Sequence, residues 1–217
     1  MADVVGALWA YGRPMTTETA QYTVRTVVPV DARAVAEAMA RAFLHDPVAA
    51  HCLPDPARRA RRLERGFELF LRRTYLPREG TFTTDGLDGG ALWLPPNEWN
   101  VGRLETLRLL PAMARCYRGD LLRVLRVFDF LEKRHPEEPH WYLGFLGVEP
   151  DRQGRGIGSA LLEPVLARCD RERVPAYLEA STERNRRLYE RHGFGLVEEI
   201  RLPGGGPPMW RMWREAR

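Results

Sequence analysis

The chain has 217 residues, 44% of them hydrophobic and 29% charged, with a formal net charge of +4. That is enough for one substantial core and ordinary for a globular protein, and no apolar run approaches the ~20 residues that span a bilayer. The basic residues are almost all arginine, Lys133 being the single lysine, and are interleaved with acids. A nucleic-acid surface would gather them on one face with stacking aromatics.

Cys52, Cys116 and Cys169 are an odd number without metal-ligand spacing and read as reduced thiols of a cytosolic protein. The N-terminus carries Asp3 and no basic n-region, which argues against a secretory signal. Residues 1–20 lack periodicity and are expected to form a flexible extension. From there to residue 217 no boundary divides the chain, so a single domain is expected.

Tyr22–Pro29 alternates and is β-branched, as a strand requires. Asp31 is placed to N-cap a helix whose apolar face carries Val35, Met39, Ala42 and Phe43. Asp46-Pro47 must stop that helix, and 46–56 reads as a loop carrying Asp46, His51, Cys52 and Asp55. A second helix is expected over 57–76. Two strands follow, 81–84 and 90–94, turned by the Asp/Gly cluster between them. Residues 103–134 read as a helical insertion broken at Pro111 and near Gly119, with Asp120 as a cap and Leu121, Leu122, Leu125, Phe128 and Leu131 facing inward. After a His-Pro-Glu-Glu-Pro linker the pattern is strand (140–148), glycine loop, helix (156–171), strand (176–181), helix (185–192), strand (195–202) and strand (209–214).

The most informative segment is Val148-Glu-Pro-Asp-Arg-Gln-Gly-Arg-Gly-Ile-Gly-Ser159. Gly154, Gly156 and Gly158 lie between a strand and a helix start, whose backbone N–H groups lack internal partners and point outward. With the helix dipole and no β-carbons, such a bend suits a diphosphate. It lacks the Gly-Lys-Ser/Thr of a P-loop, and its third glycine comes one residue too early for a dinucleotide fold. Taken alone, it also reads as a turn that only caps a helix.

The loop does fit Gln/Arg-x-x-Gly-x-Gly/Ala through Gln153, Gly156 and Gly158. It resembles motif A of the GNAT N-acetyltransferases. Asn185-Arg-Arg-Leu-Tyr189 through Gly193-Phe194 resembles that family's motif B. Ala42-Phe43 with Asp46-Pro47, Glu138–Leu143 and Pro175–Ser181 are similar to the subgroup of puromycin N-acetyltransferase. The resemblance covers about residues 22–214 and implies an α/β fold: a mixed, mostly antiparallel sheet of about seven strands, with a splayed parallel pair flanked by helices.

It further implies acetyl-CoA as cosubstrate. Leu146, Gly147 and Val148 would offer backbone groups to its pantetheine arm, and Gln153, Gly154, Arg155, Gly156, Ile157, Gly158 and Ser159 would line its pyrophosphate. Arg152 and Arg155 either contact phosphate or are simply solvated. Asn185 would hydrogen-bond the arm. Tyr189, four residues on and on the same helix face, would be the general acid toward sulfur; from its residue type alone it reads as a packing aromatic.

Glu179 sits inside an otherwise apolar strand, where a carboxylate is costly unless paired. It reads as the general base, with a water relay or a structural ion pair to an arginine as competitors. Asp46, His51 and Asp55 either hold a cationic acceptor or are ordinary polar loop residues. His140 and His192 read as structural, and no metal site is expected.

The implied activity is acetyl transfer to an amine of a small molecule, an antibiotic among the possibilities. A protein or peptide N-acetyltransferase and a non-catalytic acetyl-CoA-binding module are the alternatives. Monomer and homodimer both remain open, Trp210 and Trp213 being available for a dimer contact.

Overall fold

The computed structural model describes residues 22–99 and 102–217; the expected extension over 1–20 lies outside them. Seven strands form one mixed sheet in the order β1-β2-β3-β4-β5-β7-β6. The strands are β1 (Val24–Thr26), β2 (Thr81–Thr84), β3 (Gly89–Leu94), β4 (Trp141–Val148), β5 (Ala176–Ala180), β6 (Gly195–Arg201) and β7 (Pro208–Arg214). Helices α1 (Ala32–Ala42), α2 (Pro47–Cys52) and α3 (Pro56–Phe70) separate β1 from β2. Helices α4 (Gly102–Tyr117) and α5 (Leu121–Glu132) separate β3 from β4, and α6 (Ile157–Glu172) and α7 (Glu183–Arg191) flank β5. This is the GNAT fold.

Every residue of β3 is buried, and alternation sends successive side chains to opposite faces. Ala91 and Trp93 pack with Ile157, Leu161 and Leu162 of α6 on one face. Leu92 and Leu94 pack with Met39, Leu63, Phe67 and Val124, from the other helices, on the opposite face.

The feature that makes the site is a break in strand pairing. Antiparallel β3 follows β4 from Tyr142 to Val148. Parallel β5 pairs only with Trp141, Tyr142 and Leu143, and beyond them β4 has no strand partner on that side among the described residues. Register with β3 slips at the same place: Leu92 faces Phe145 and Trp93 faces Leu143, so Gly144 is an extra residue in β4. A bulge bends its strand and ends local pairing. It turns Gly144–Val148 away from β5 and opens a wedge.

Several local expectations are corrected. The stretch after Asp46 is not all loop, because α2 forms there: Asp46 Oδ1 accepts from the Val48 and Ala49 N–H groups, and Pro47 fills the first turn. The same Asp-Pro pair that forbids continuing one helix starts another. Asp31 and Asp120 sit at helix starts, but neither side chain caps. Asp31 is drawn to Arg25 at 2.6 Å, and Asp120 to Arg62. Pro111 lies within α4 and does not break it; it is exposed, so the carbonyl that its ring deprives of an N–H stands where water can serve it. Leu122 is exposed, and Val124 and Val127 take the inward positions of α5. Thr182, not Asn185, starts α7; its hydroxyl accepts from the Asn185 N–H at 3.1 Å.

Candidate active site

The bend after β4 is held open by its own backbone and side chains. Gly154 and Gly156 have φ of 79° and 87°, where a β-carbon is strained. Gln153 Nε2 donates to the Val148 carbonyl at 3.0 Å and closes the bend on itself. Gly156 is the N-cap of α6 and provides no capping side chain. The first amide turned into the helix is that of Ala160, bonded to the Gly156 carbonyl at 3.0 Å. The N–H groups of Ile157, Gly158 and Ser159 are therefore left at a helix start without intrahelical partners.

These groups line a cavity of about 400 Å³ that runs from the unpaired end of β4 to the bend. Leu146, Gly147, Val148, Arg152, Gln153, Gly154, Gly156, Ile157, Gly158, Ser159 and Asn185 all border it. Arg155 does not; its guanidinium donates to the Asp151 carbonyl at 3.1 Å. The hydroxyl of Ser159 lies 2.9 Å from His192 Nε2. Arg184, Leu188 and Arg191 of α7 border the cavity too, and sequence reasoning passed over them. Their spacing of four and three residues, one helix face beside Asn185, is the signal that was available. Arg152, Arg184 and Arg191 give the cavity a cationic wall.

A second cavity, of about 590 Å³, lies on the other side of β4, among α3, α4 and α5. The two cavities share five lining residues: Phe43, Asp46, Leu146, Asn185 and Tyr189. Tyr189 is buried at this junction. Burial raises its hydroxyl well above the ordinary tyrosine range, and the nearby Asp46 carboxylate adds to that. The phenol is therefore protonated at neutral pH.

Glu179 borders the second cavity. Tyr142 Oη donates to its Oε2 at 2.9 Å, and the Tyr177 hydroxyl is near enough to favour the carboxylate as well, while Oε1 is buried and makes no hydrogen bond of good geometry among the described residues. Burial pushes the carboxyl up to about 7, where a proton acceptor works best at physiological pH. The arginine opposite it in the sheet, Arg211, is turned to Tyr177 Oη at 3.0 Å and Glu198 at 2.8 Å.

Asp46 lines both cavities, but its carboxylate is already engaged. Besides capping α2, it accepts from Ser181 Oγ through Oδ2, and burial shifts it upward. His51 and Asp55 line neither cavity. His51 Nε2 meets the Pro203 carbonyl at 3.0 Å, and Asp55 caps α3 through the Ala57 N–H.

His135, placed by sequence in a linker, borders the second cavity. Its ring stacks on Trp99 with centroids 3.8 Å apart. His140 Nδ1 lies 2.6 Å from the Glu138 carbonyl and must donate to it. His140 Nε2 is then an acceptor and accepts a hydrogen bond from His135 Nε2–H at 2.9 Å. Burial lowers His135 to about 3, the neighbouring His140 adding to the shift, so the pair is neutral.

A cationic, amide-lined bend that meets an apolar chamber at one buried tyrosine is an arrangement suited to a transferase with two substrates. The comparisons agree. Residues 90–194 match the Acetyltransferase (GNAT) family. An uncharacterized N-acetyltransferase of Schizosaccharomyces pombe is 40% identical over 74 residues, 34% of this chain and 29% of that protein. The chain thus spans under a third of that relative's length. A crystal structure of a histone acetyltransferase and related acetyltransferase of Corynebacterium glutamicum superposes with a TM-score of 0.66 at 26% identity, covering 90% of this chain and 97% of that one. A Drosophila melanogaster polyamine N-acetyltransferase shares the fold at 18% identity and a TM-score of 0.62, over 89% of this chain and 99% of its own. The chain is similar to the GNAT family of acetyltransferases and shares its fold.

Proposed function

We propose that the protein, acting as a single domain, transfers the acetyl group of acetyl-CoA to an amine of a small molecule, with both substrates bound at once. The observation that carries this is the junction, where Tyr189, Asn185 and Leu146 border both cavities. The bend fits the carrier: unpartnered amides at the start of α6, two glycines in left-handed conformation and three arginines suit a diphosphate. The unpaired end of β4 offers backbone groups to an amide-bearing arm.

Acetyl-CoA supplies an activated acyl carbon and a thiolate leaving group. An N–H of Leu146–Val148 stabilises negative charge developing beside the strand. Tyr189 holds a proton at its hydroxyl for the leaving sulfur, and Asn185 orients the arm from the same helix. Glu179 takes the proton that the amine must lose, directly or through water. Asp46 holds the junction by joining α2 to Ser181 after β5. The cytoplasm, where acetyl-CoA is made and used, is the compartment in this reading, and an amine-bearing antibiotic is among the acceptors that the resemblance to puromycin N-acetyltransferase implies. The walls that α4 and α5 raise around the second cavity favour a small acceptor over a peptide.

The test is thiol release from acetyl-CoA across small amines, beside mass spectrometry of a peptide panel. A small amine is acetylated, and Tyr189→Phe lowers the rate about 100-fold or more while leaving acetyl-CoA affinity within about twofold. Unchanged turnover in that variant removes the acid role; acetylated peptides without acetylated small amines overturn the acceptor class.

A further inference from the structure

We propose that the acceptor is a monoamine on an apolar, drug-sized body, seated with its hydrocarbon or ring portion among Phe67, Phe70, Phe128 and Tyr117 and its nitrogen toward Glu179. This rests on reading the second cavity as the acceptor site.

Size comes first. A cavity of about 590 Å³ lies in the range that encloses drug-sized ligands and far exceeds what a two- or three-carbon amine fills. Its aromatic wall is preassembled: Phe67 and Phe145 stand 5.2 Å apart edge to face, and Phe70 and Phe128 5.7 Å apart. Such edge-to-face packing fixes the rings before any ligand arrives.

Charge decides the class. The Asp46 carboxylate already accepts from two amides and a hydroxyl, and His135 is neutral and bonded to His140. Asp129 is exposed and paired with Lys133 at 2.7 Å, and Glu132 is exposed, so both lie at the rim. Among the described residues of the lining, Glu179 Oε1 is the one buried side-chain oxygen or nitrogen that makes no hydrogen bond of good geometry. The chamber can thus satisfy one nitrogen. A second ammonium held among the phenyl rings, away from Glu179 and the already engaged Asp46, would be buried without a counter-charge, which is strongly disfavoured. That separates this chain from the polyamine N-acetyltransferase whose fold it shares.

The experiment compares n-alkylamines from propylamine to octylamine with 1,7-diaminoheptane, which matches octylamine in length but ends in a second amine. kcat/KM is measured by thiol release with saturating acetyl-CoA. We expect a rise of about fourfold per methylene until the chamber fills, and octylamine ahead of the diamine by on the order of 100-fold. Phe128→Glu, which puts a carboxylate into the wall, narrows that ratio tenfold or more; the wild-type series stands on its own if the variant does not fold. A diamine equal to or better than octylamine, or a flat alkyl series, overturns the inference and leaves acetyl transfer intact. No turnover of any amine by protein that binds acetyl-CoA overturns the acetyl-transfer reading and this inference together.

Discussion

Glu179 is held by Tyr142 at one oxygen and makes no hydrogen bond of good geometry at the other, with the Tyr177 hydroxyl nearby, and burial still pushes its carboxyl up to about 7. Two outcomes follow at this position. The pH profile of kcat/KM should rise through a limb near 7, and Glu179→Gln should remove the limb and lower the rate about 100- to 10,000-fold at pH 8; a limb that survives the substitution rules this carboxyl out as the base. Stability moves oppositely. The folded carboxyl titrates above its unfolded value, so its contribution is full below about pH 4.5 and is lost as pH rises through about 7. Glu179→Gln should thus gain stability on wild type between pH 6 and pH 8, by roughly 1.4 kcal/mol, the worth of one pKa unit, in urea titrations at the two pH values. The sequence announced Glu179 because a carboxylate stands out in Ala-Tyr-Leu-Glu-Ala. It could not exclude a salt bridge with an arginine, because Arg211 lies opposite and only its rotamer, toward Tyr177 and Glu198, decides. His135 was illegible for another reason: it is distant in sequence from Trp99 and Tyr177, and the sheet alone brings their rings together.

Among the elements, the splay of β4 from β5 depends on one bulge, and the bulge on a residue without a side chain. A β-carbon on Gly144 would stand 2.1 Å from Tyr75 Oη. Gly144→Ala should therefore destabilise the protein by about 1–3 kcal/mol. Adding Tyr75→Phe removes the clashing oxygen and should recover most of the loss; a double-mutant cycle with zero coupling would show that the bulge is set elsewhere. The bend has its own contrast. Gly156 has φ of 87°, whereas a β-carbon on Gly158 would meet only ordinary contacts from 3.5 Å outward. Calorimetry with acetyl-CoA should find Gly156→Ala weakened about tenfold, as a backbone cost of roughly 1–2 kcal/mol requires, and Gly158→Ala nearly unchanged. Element order was readable except at α2, which is too short for a 3.6-residue period to show; elsewhere 2.0 and 3.6 periodicities alternate along the chain. The caps were less so: Asp31 and Asp120 have the right residue type in the right place, yet Arg25 and Arg62 outbid the helix amides for them, and those arginines arrive from other elements.

At the scale of the molecule the sheet divides two unlike interiors. The α6 face is a continuous apolar cluster, while the face covered by α1, α3, α4 and α5 encloses the larger cavity. No helix among the described residues is long and apolar enough to cross a membrane. The carrier would engage β4, α6 and α7, and the acceptor α3, α4 and α5, with contact confined to five shared residues. Direct transfer requires that both fit together. Each ligand at 100 times its Kd stabilises the fold by about 2.7 kcal/mol, which for a chain of this size raises Tm by roughly 5–11 °C. Product CoA and an unreacted amine, added together to give a dead-end complex, should raise Tm by close to the sum of their separate shifts, because sites with few common contacts behave additively. A combined shift no greater than the larger single one would mean that the two ligands exclude each other, and then the acyl group could not pass between them across Tyr189 in one step.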